Sequence, residues 1–166
     1  MPFRRRAELL AAARKVDAWI LEDDYDSEFR YTGSPLASLQ GIDADGRVLY
    51  LGSFSKSMFA GLRLAYVVVP MDLIDPFRAA RLAAGGPPPV LEQAALAAFM
   101  KEGHYTRHLR RSRKIHAERQ ACLVRAVRQH LTGVIHVEPD QTGMHLVGWI
   151  QNGMTEIEVC RRAGEM

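Results

Sequence analysis

A single lysine, Lys56, lies in the run LGSFSKSMFAGLRLA, residues 51 to 65, among glycine, serine and apolar residues. That run contains no acidic side chain to pair with the ammonium group. Ser53 and Ser55 precede the lysine, and Arg63 follows it by seven positions. An amine can attack a carbonyl carbon, and hydroxyl groups with a guanidinium can hold an anion. The spacing therefore marks residues 53 to 63 as a candidate chemical site.

A second polar cluster, Asp23, Asp24 and Tyr25, lies upstream, just after the apolar run Ala18 to Leu21. This apolar run predicts a short buried strand that ends at the acids, and Val48 to Leu51 predicts another strand ahead of the serines. Ligands of open α/β sheets bind at the carboxyl ends of the strands. If the two strands are neighbours, a carboxylate, a phenol, two hydroxyls and an amine converge on one crevice.

Such a set of groups suits a phosphorylated pyridine aldehyde. The amine can form a Schiff base with the aldehyde, and a carboxylate can hold the protonated ring nitrogen so that the ring acts as an electron sink. A phenol can contact the ring hydroxyl, while hydroxyls and an arginine can hold the phosphate. Pyridoxal 5'-phosphate (PLP) is therefore the predicted cofactor.

Other interpretations of these residues explain less of the sequence. The run from Ser53 to Lys56 also satisfies S-x-x-K, the nucleophile motif of penicillin-binding proteins and class A β-lactamases, but no S-D-N or K-T-G accompanies it. His104 and His108 stand at i and i+4 without a third ligand of the HExxH kind, so we predict no metal site. Taken singly, each polar residue fits a solvated turn or a helix N-cap equally well.

Helices and strands alternate along the chain. RLAYVVVP predicts a third strand, and VIHVEP and MHLVGWI predict two more near the end. Helices are predicted over residues 4–16, 71–83 and 91–103, with the breaker GGPPP before the third, then over 104–132 and at the start of MTEIEVCRRAGEM. We therefore predict an α/β fold with a mostly parallel sheet of three parallel strands. The predicted domains are residues 1–103, the connecting helix 104–132, and a truncated α+β unit at 133–166.

The totals favour a soluble cytoplasmic protein without a membrane partner. The 166 residues carry 48% hydrophobic and 25% charged side chains, and they contain neither an apolar run long enough for a membrane span nor a secretory signal. Cys122 and Cys160 are expected to be buried, as are Trp19 and Trp149. Residues 104 to 130 hold eight Lys or Arg against one acid, which predicts a solvated helix face or, alternatively, a nucleic-acid surface.

The lysine segment SFSKSMFAGLRLAY closely resembles that of fold-type I, PLP-dependent aminotransferases. The longer stretch EDDYDSEFRYTGSPLASLQGIDADGRVLYLGSFSK resembles one subgroup, the MocR-type regulators of the GntR superfamily, in which an aminotransferase-like domain follows a winged helix-turn-helix. The likeness runs from about Arg4 to the end of the chain. It implies part of a fold-type I large domain, followed by the beginning of a small domain.

The resemblance assigns a role to each matching position. It implies that Lys56 is the Schiff-base lysine and that Asp23 is the partner of the pyridine nitrogen. The remaining cofactor contacts that it implies are Tyr25 to the ring hydroxyl, Ser53 and Arg63 to the phosphate, and Ser55 as a weaker candidate. Asp24 receives no role.

For function, the resemblance implies an effector domain that senses an amine or amino acid through aldimine exchange at Lys56. DNA would then be bound only through a winged helix-turn-helix, which has no counterpart in these residues. We therefore expect the chain to be an internal fragment that is catalytically incomplete. The full-length protein is expected to be a homodimer. The alternative is a fragment of a true class I/II aminotransferase, in which Lys56 also moves the substrate's α-proton.

Overall fold

The computed structural model of the chain describes residues 1–33, 36–85, 89–151 and 153–165. These residues divide into two compact units, the first comprising Met1–Ser27 with Ser34–Thr106 and the second Glu28–Gly33 with Arg107–Met166. Among the described ranges, no helix has both the length and the apolar content needed to cross a bilayer. The predicted breaker GGPPP falls mostly on residues 86–88, which lie outside the described residues.

The first unit contains a three-stranded sheet in the order β1–β2–β3 and helices that flank it. The strands are β1 (Ile20–Asp24), β2 (Val48–Ser53) and β3 (Ala65–Val68). The helices are α1 (Phe3–Lys15), α2 (Leu39–Ile42), α3 (Phe54–Ser57), α4 (Ile74–Gly85), α5 (Val90–Lys101) and the first turn of α6 (His104–His130). Short 3-10 turns occupy Ala60–Leu62 and Met71–Leu73. The predicted α/β class is confirmed.

The direction of β3 differs from the prediction. β1 and β2 pair in parallel, but β2 and β3 pair antiparallel, with Ser53 opposite Ala65. A parallel crossover needs a dozen or more residues and usually a full helix, whereas residues 54–64 supply only two short helical turns. The prediction of three parallel strands was therefore wrong for β3, because the connection is too short to return the chain to the other end of the sheet.

The core of the first unit forms where apolar side chains of the sheet meet the helices. Val48 and Leu49 are buried in β2, and Leu39 of α2 is buried as well. The side chain of Glu22 in β1 holds α2, because its two carboxylate oxygens accept the backbone N–H groups of Leu39 and Gln40 at 2.8 and 3.0 Å. Charge-assisted bonds of this kind stabilise the first backbone N–H groups of a helix, which have no hydrogen-bond partner within the helix itself.

The second unit contains most of α6, a two-stranded antiparallel sheet and the last helix. Its strands are β4 (Ile135–Val137) and β5 (Gly148–Ile150), and its last helix is α7 (Glu156–Gly164). Phe29 is 1% exposed and meets the edge of His116 at a centroid distance of 5.0 Å. The backbone carbonyl of Glu28 accepts a hydrogen bond from Arg113 of α6. This short segment is thereby held against the long helix.

Two burial predictions were wrong. Cys122 and Cys160 are both exposed, and Trp19 and Trp149 are 44% and 54% exposed. Trp19 lies under the guanidinium of Arg47, whose Cζ is 5.2 Å from the ring centroid. A cation–π contact of this kind lets a large aromatic ring stay half in water.

Candidate functional site

The register of β1 and β2 brings the two polar clusters to one edge of the sheet. Asp23 is opposite Leu51 and Asp24 is opposite Gly52, so the two parallel strands end side by side. Side chains alternate between the faces of a strand, and paired residues share a face. Asp23 therefore lies on the same face as Leu51 and Ser53, and Asp24 lies on the opposite face. The predicted convergence of the strand ends is confirmed at the level of the backbone.

The antiparallel direction of β3 brings Arg63 to the same edge. β3 begins opposite Ser53, where β2 ends, and Arg63 precedes its first residue by two positions. The N–H of Phe54 donates to the carbonyl of Leu64 at 3.1 Å and so closes this corner. Arg63 has a φ of 52°, a left-handed conformation that is uncommon for any residue with a side chain. A strained backbone next to the lysine turn is a feature often found at functional sites.

Arg63 lines a pocket of about 470 Å³ together with Phe54, Tyr66 and Arg81. Among the described residues that line it, neither Asp23 nor Lys56 is present. The backbone of Arg63 thus reaches the predicted edge, and the residue also lines this neighbouring pocket.

The lysine lies in the one-turn helix α3, which we call the lysine helix (Phe54–Ser57). Ser53 is its N-cap, and the Ser53 Oγ accepts the N–H of Ser55 at 3.1 Å. The N-cap interpretation is therefore correct for Ser53. A hydroxyl that accepts one hydrogen bond still has its own hydrogen to donate, so this role leaves Ser53 able to bind a phosphate oxygen.

Asp23 and Lys56 are both exposed. In the described parts of the chain, neither side chain has a hydrogen-bond or ion-pair partner. As far as the described residues show, these two groups of opposite charge remain available to a ligand. Tyr25, directly after β1, is 40% exposed.

Asp24, to which the sequence assigned no role, has a structural one. Its Oδ2 accepts the hydroxyl of Tyr50 at 2.7 Å, and its Oδ1 accepts the backbone N–H of Ser27 at 3.1 Å. Burial is the largest cause that raises the pKa of Tyr50 far above its ordinary value, followed by the hydrogen bond and the negative charge of Asp24. The two adjacent carboxylates therefore have different roles, since Asp24 accepts hydrogen bonds within the fold and Asp23 accepts none from the described residues.

An aromatic cluster, which sequence reasoning missed, lies beside the lysine helix and comprises Tyr50, Phe54, Tyr66 and Tyr105. The centroid of the Phe54 ring is 5.5 Å from that of Tyr66 and 6.1 Å from that of Tyr105. The centroids of the Tyr50 and Tyr66 rings are 6.1 Å apart. The Tyr66 ring lies against the bare backbone of Gly52, which is opposite to it in the sheet. The glycine was the one available sequence signal, because a strand glycine often marks the close approach of another group.

The two histidines considered as metal ligands have other partners. His104 Nε2 is 3.2 Å from the carboxylate of Glu102, and His108 Nε2 is 3.4 Å from the hydroxyl of Ser112. Within the described ranges, no three His, Cys, Asp or Glu side chains are grouped so that they could hold a metal ion.

The donor set fits a phosphorylated pyridine aldehyde. It offers the amine of Lys56 and the carboxylate of Asp23, each without a partner among the described residues, and the hydroxyl of Ser53 at the end of β2. These are the groups that the aldehyde, the ring nitrogen and the phosphate of such a molecule require.

Comparison with known proteins gives a consistent result. Residues 5–159 match the profile of the family "Aminotransferase class I and II". The chain is 42% identical over 165 residues to the probable rhizopine catabolism regulatory protein MocR of Rhizobium meliloti, covering 99% of this chain and 33% of that protein. It is 31% identical over 150 residues to the pyridoxine biosynthesis transcriptional regulator PdxR of Corynebacterium glutamicum, covering 89% of this chain and 32% of that protein. The chain thus spans about a third of the length of these relatives.

Solved structures with a similar fold include aminotransferases. The kynurenine aminotransferase of Pyrococcus horikoshii superposes with a TM-score of 0.90 at 26% identity, covering 99% of this chain and 41% of that one. The α-aminoadipate aminotransferase LysN of Thermus thermophilus, solved with a phosphopyridoxyl-leucine compound, gives 0.85 at 26% identity and covers 99% and 43%. The chain therefore has the fold-type I architecture of PLP-dependent aminotransferases and belongs to the aminotransferase class I and II family, within which its curated relatives are MocR-type, helix-turn-helix transcriptional regulators.

Proposed function

We propose that this chain is the aminotransferase-like effector part of a MocR-type transcriptional regulator and that it binds PLP at Lys56. In this proposal residues 1–103 belong to the PLP-binding large domain, 104–132 form the connecting helix and 133–166 begin the small domain. The observation that carries the proposal is the parallel pairing of β1 with β2, in which the strand that carries Asp23 ends next to the strand that leads into the Lys56 turn. The similarity to regulators such as MocR and PdxR supports the regulatory output.

Each polar residue at the sheet edge has a role in this proposal. The carboxylate of Asp23 holds the proton of the pyridine nitrogen, and the amine of Lys56 binds the aldehyde carbon. Ser53 donates its remaining hydrogen to the phosphate, and Arg63 supplies positive charge there. Tyr25 contacts the ring hydroxyl, and Ser55 is a weaker phosphate ligand.

Bound to Lys56 through its aldehyde carbon, PLP supplies an electrophilic centre at which the amino group of an effector can replace the lysine. The effector is then an amine or amino acid. Release of the Lys56 amine changes the charge and contacts of this side chain at the sheet edge. A ligand that favours one arrangement of the protein shifts the population toward it, and we propose that the shift alters DNA binding through a winged helix-turn-helix of the full-length cytoplasmic homodimer.

Titration of the purified full-length protein with PLP tests the attachment point. We expect a visible absorption band that Lys56→Ala abolishes and that the matched variant Lys101→Ala retains, because Lys101 lies in the last turn of α5, far along the chain from the strand ends. An unchanged band in Lys56→Ala would reject Lys56 as the attachment point.

The solved aminotransferases favour a second candidate function, transfer of the effector's amino group to a 2-oxo acid. The two candidates differ in what an amine does to the loaded protein. A regulator changes its affinity for operator DNA when the amine binds and forms less than one equivalent of product per subunit. Multiple turnovers with a 2-oxo acid, together with DNA binding that is indifferent to the amine, would instead identify an aminotransferase.

A further inference from the structure

The lysine helix is too short to keep a fixed orientation without contacts to the rest of the unit. It comprises only the four residues Phe54–Ser57, and a single helical turn fixes several dihedral angles for very few hydrogen bonds. Contacts with the rest of the unit must therefore determine where Lys56 points. Its N-terminal end is held by the Ser53 cap and by the bond from the Phe54 N–H to Leu64.

Tyr105 contacts this helix at two of its residues, Ser57 and Phe54. The Tyr105 hydroxyl donates to the Ser57 Oγ at 3.0 Å, and its ring meets the Phe54 ring edge to face at 6.1 Å and 75°. Phe54 and Ser57 stand at i and i+3, so they lie on one side of the turn. Ser57 is 1% exposed, whereas Lys56 is exposed, which places the lysine on a different side of the turn from Tyr105.

A sharp chain turn brings Tyr105 to this position. Helix α5 ends at Lys101, and α6 begins at His104. Between them Gly103 has a φ of 76°, and its N–H donates to the carbonyl of Met100 at 3.0 Å. Glycine adopts this left-handed conformation without a steric penalty, and it lets the next helix start at once in a new direction. The first turn of α6 is thereby directed at the lysine helix.

We propose that Tyr105 is a positioning residue for Lys56, acting through Ser57 and Phe54 to fix the orientation of the lysine helix. The proposal rests on the proposed function in one respect, namely that Lys56 carries the cofactor. Among the described residues, no hydrogen bond joins Tyr105 to Lys56. It limits the orientations of the lysine turn, so that the amine meets the aldehyde without a further loss of conformational freedom.

Tyr105→Phe in the full-length protein removes only the hydroxyl, and Tyr31→Phe is its matched control. The Tyr31 hydroxyl donates to the Gly143 carbonyl at 2.6 Å within the second unit, so this control also removes one hydroxyl hydrogen bond. We expect Tyr105→Phe to weaken PLP binding about tenfold, the effect of losing one hydrogen bond in a buried setting. We also expect it to reduce the visible circular dichroism of the bound cofactor at saturation, because that signal reports a fixed orientation at Lys56.

Two further measurements separate positioning from general stability. Ser57→Ala should also weaken PLP binding, and the double variant should lose less than the sum of the two single losses, since both substitutions remove the bond between Tyr105 and Ser57. In the cofactor-free protein, amide hydrogen exchange at residues 54–58 should accelerate about tenfold in Tyr105→Phe and remain unchanged in Tyr31→Phe.

The outcomes distinguish this inference from the proposed function. Wild-type protein that fails to bind PLP at Lys56 contradicts the proposed function, and the exchange rates in the cofactor-free protein still decide the role of Tyr105. Wild-type protein that binds PLP at Lys56, with Tyr105→Phe matching it in affinity, dichroism and exchange within twofold, would overturn the inference alone.

Discussion

Asp23 and Asp24 are adjacent in sequence, yet we expect their amide variants to have opposite consequences. Asp24 accepts the Tyr50 hydroxyl at 2.7 Å and the Ser27 N–H at 3.1 Å. In Asp24→Asn the charge is lost, and one acceptor oxygen becomes an NH₂ donor that faces another donor. Asp23 is exposed and has no partner among the described residues, so Asp23→Asn removes no contact with any of them.

The size of the difference follows from these contacts. Leaving a partly buried group without its charged acceptor costs about 1–3 kcal/mol, so we expect Asp24→Asn to lower the free energy of unfolding by about 2 kcal/mol. A surface substitution without contacts stays within about 0.5 kcal/mol, which is the expectation for Asp23→Asn. Urea unfolding of the cofactor-free protein measures both. In the Tyr50→Phe background, the cost of Asp24→Asn should fall, because one of the two bonds is already absent.

Cofactor binding should show the reverse order. Asp23→Asn should bind PLP more weakly, because the amide cannot hold the proton of the pyridine nitrogen as a carboxylate does, whereas folded Asp24→Asn should bind nearly as the wild type does. Equal destabilisation by both variants, or normal PLP affinity in Asp23→Asn together with lost affinity in Asp24→Asn, would refute the assignment of the two carboxylates.

Three further predictions concern the surroundings of the site. The pKa of Tyr50 is raised in the folded chain, so the hydroxyl of Tyr50 should contribute fully to stability below about pH 10, the ordinary tyrosine pKa. Above that pH the contribution should decline, and urea unfolding of Tyr50→Phe should not show this decline. Gly52→Ala places a methyl group against the Tyr66 ring and should cost about 1–3 kcal/mol, a loss that Tyr66→Ala in the same chain should partly relieve. Glu22→Ala removes the two carboxylate oxygens that accept the N–H groups of Leu39 and Gln40 and should cost about 1–2 kcal/mol, with faster amide exchange at these first two residues of α2 as the measurement.

The parts of the fold that the sequence predicts correctly are those with a strong local pattern. The helix predicted over residues 4–16 is observed at Phe3–Lys15, and the long basic helix is observed at His104–His130. The strand ends that carry the polar clusters were predicted from apolar runs followed by turn or hydroxyl residues. Helix α2 was missed because its four residues depend on Glu22, a carboxylate from a distant strand.

The direction of β3 was available from the sequence, since the connection of residues 54–64 is too short for a parallel crossover. The different roles of Asp23 and Asp24 could not be predicted from the sequence. Consecutive strand residues point to opposite faces, and which face meets Tyr50 depends on the register with β2, a long-range property. The contact between Tyr105 and Ser57 joins residues 48 positions apart, so no local sequence pattern predicts it.

The most direct test of the central claim is to find where the coenzyme attaches. Full-length protein loaded with PLP is reduced with borohydride, digested and analysed by mass spectrometry, which locates the lysine that carries the reduced adduct. We predict the adduct on the peptide that contains Lys56, with its yield sharply lowered in Asp23→Asn at limiting PLP. An adduct on another lysine, with Lys56 unmodified, would contradict the account.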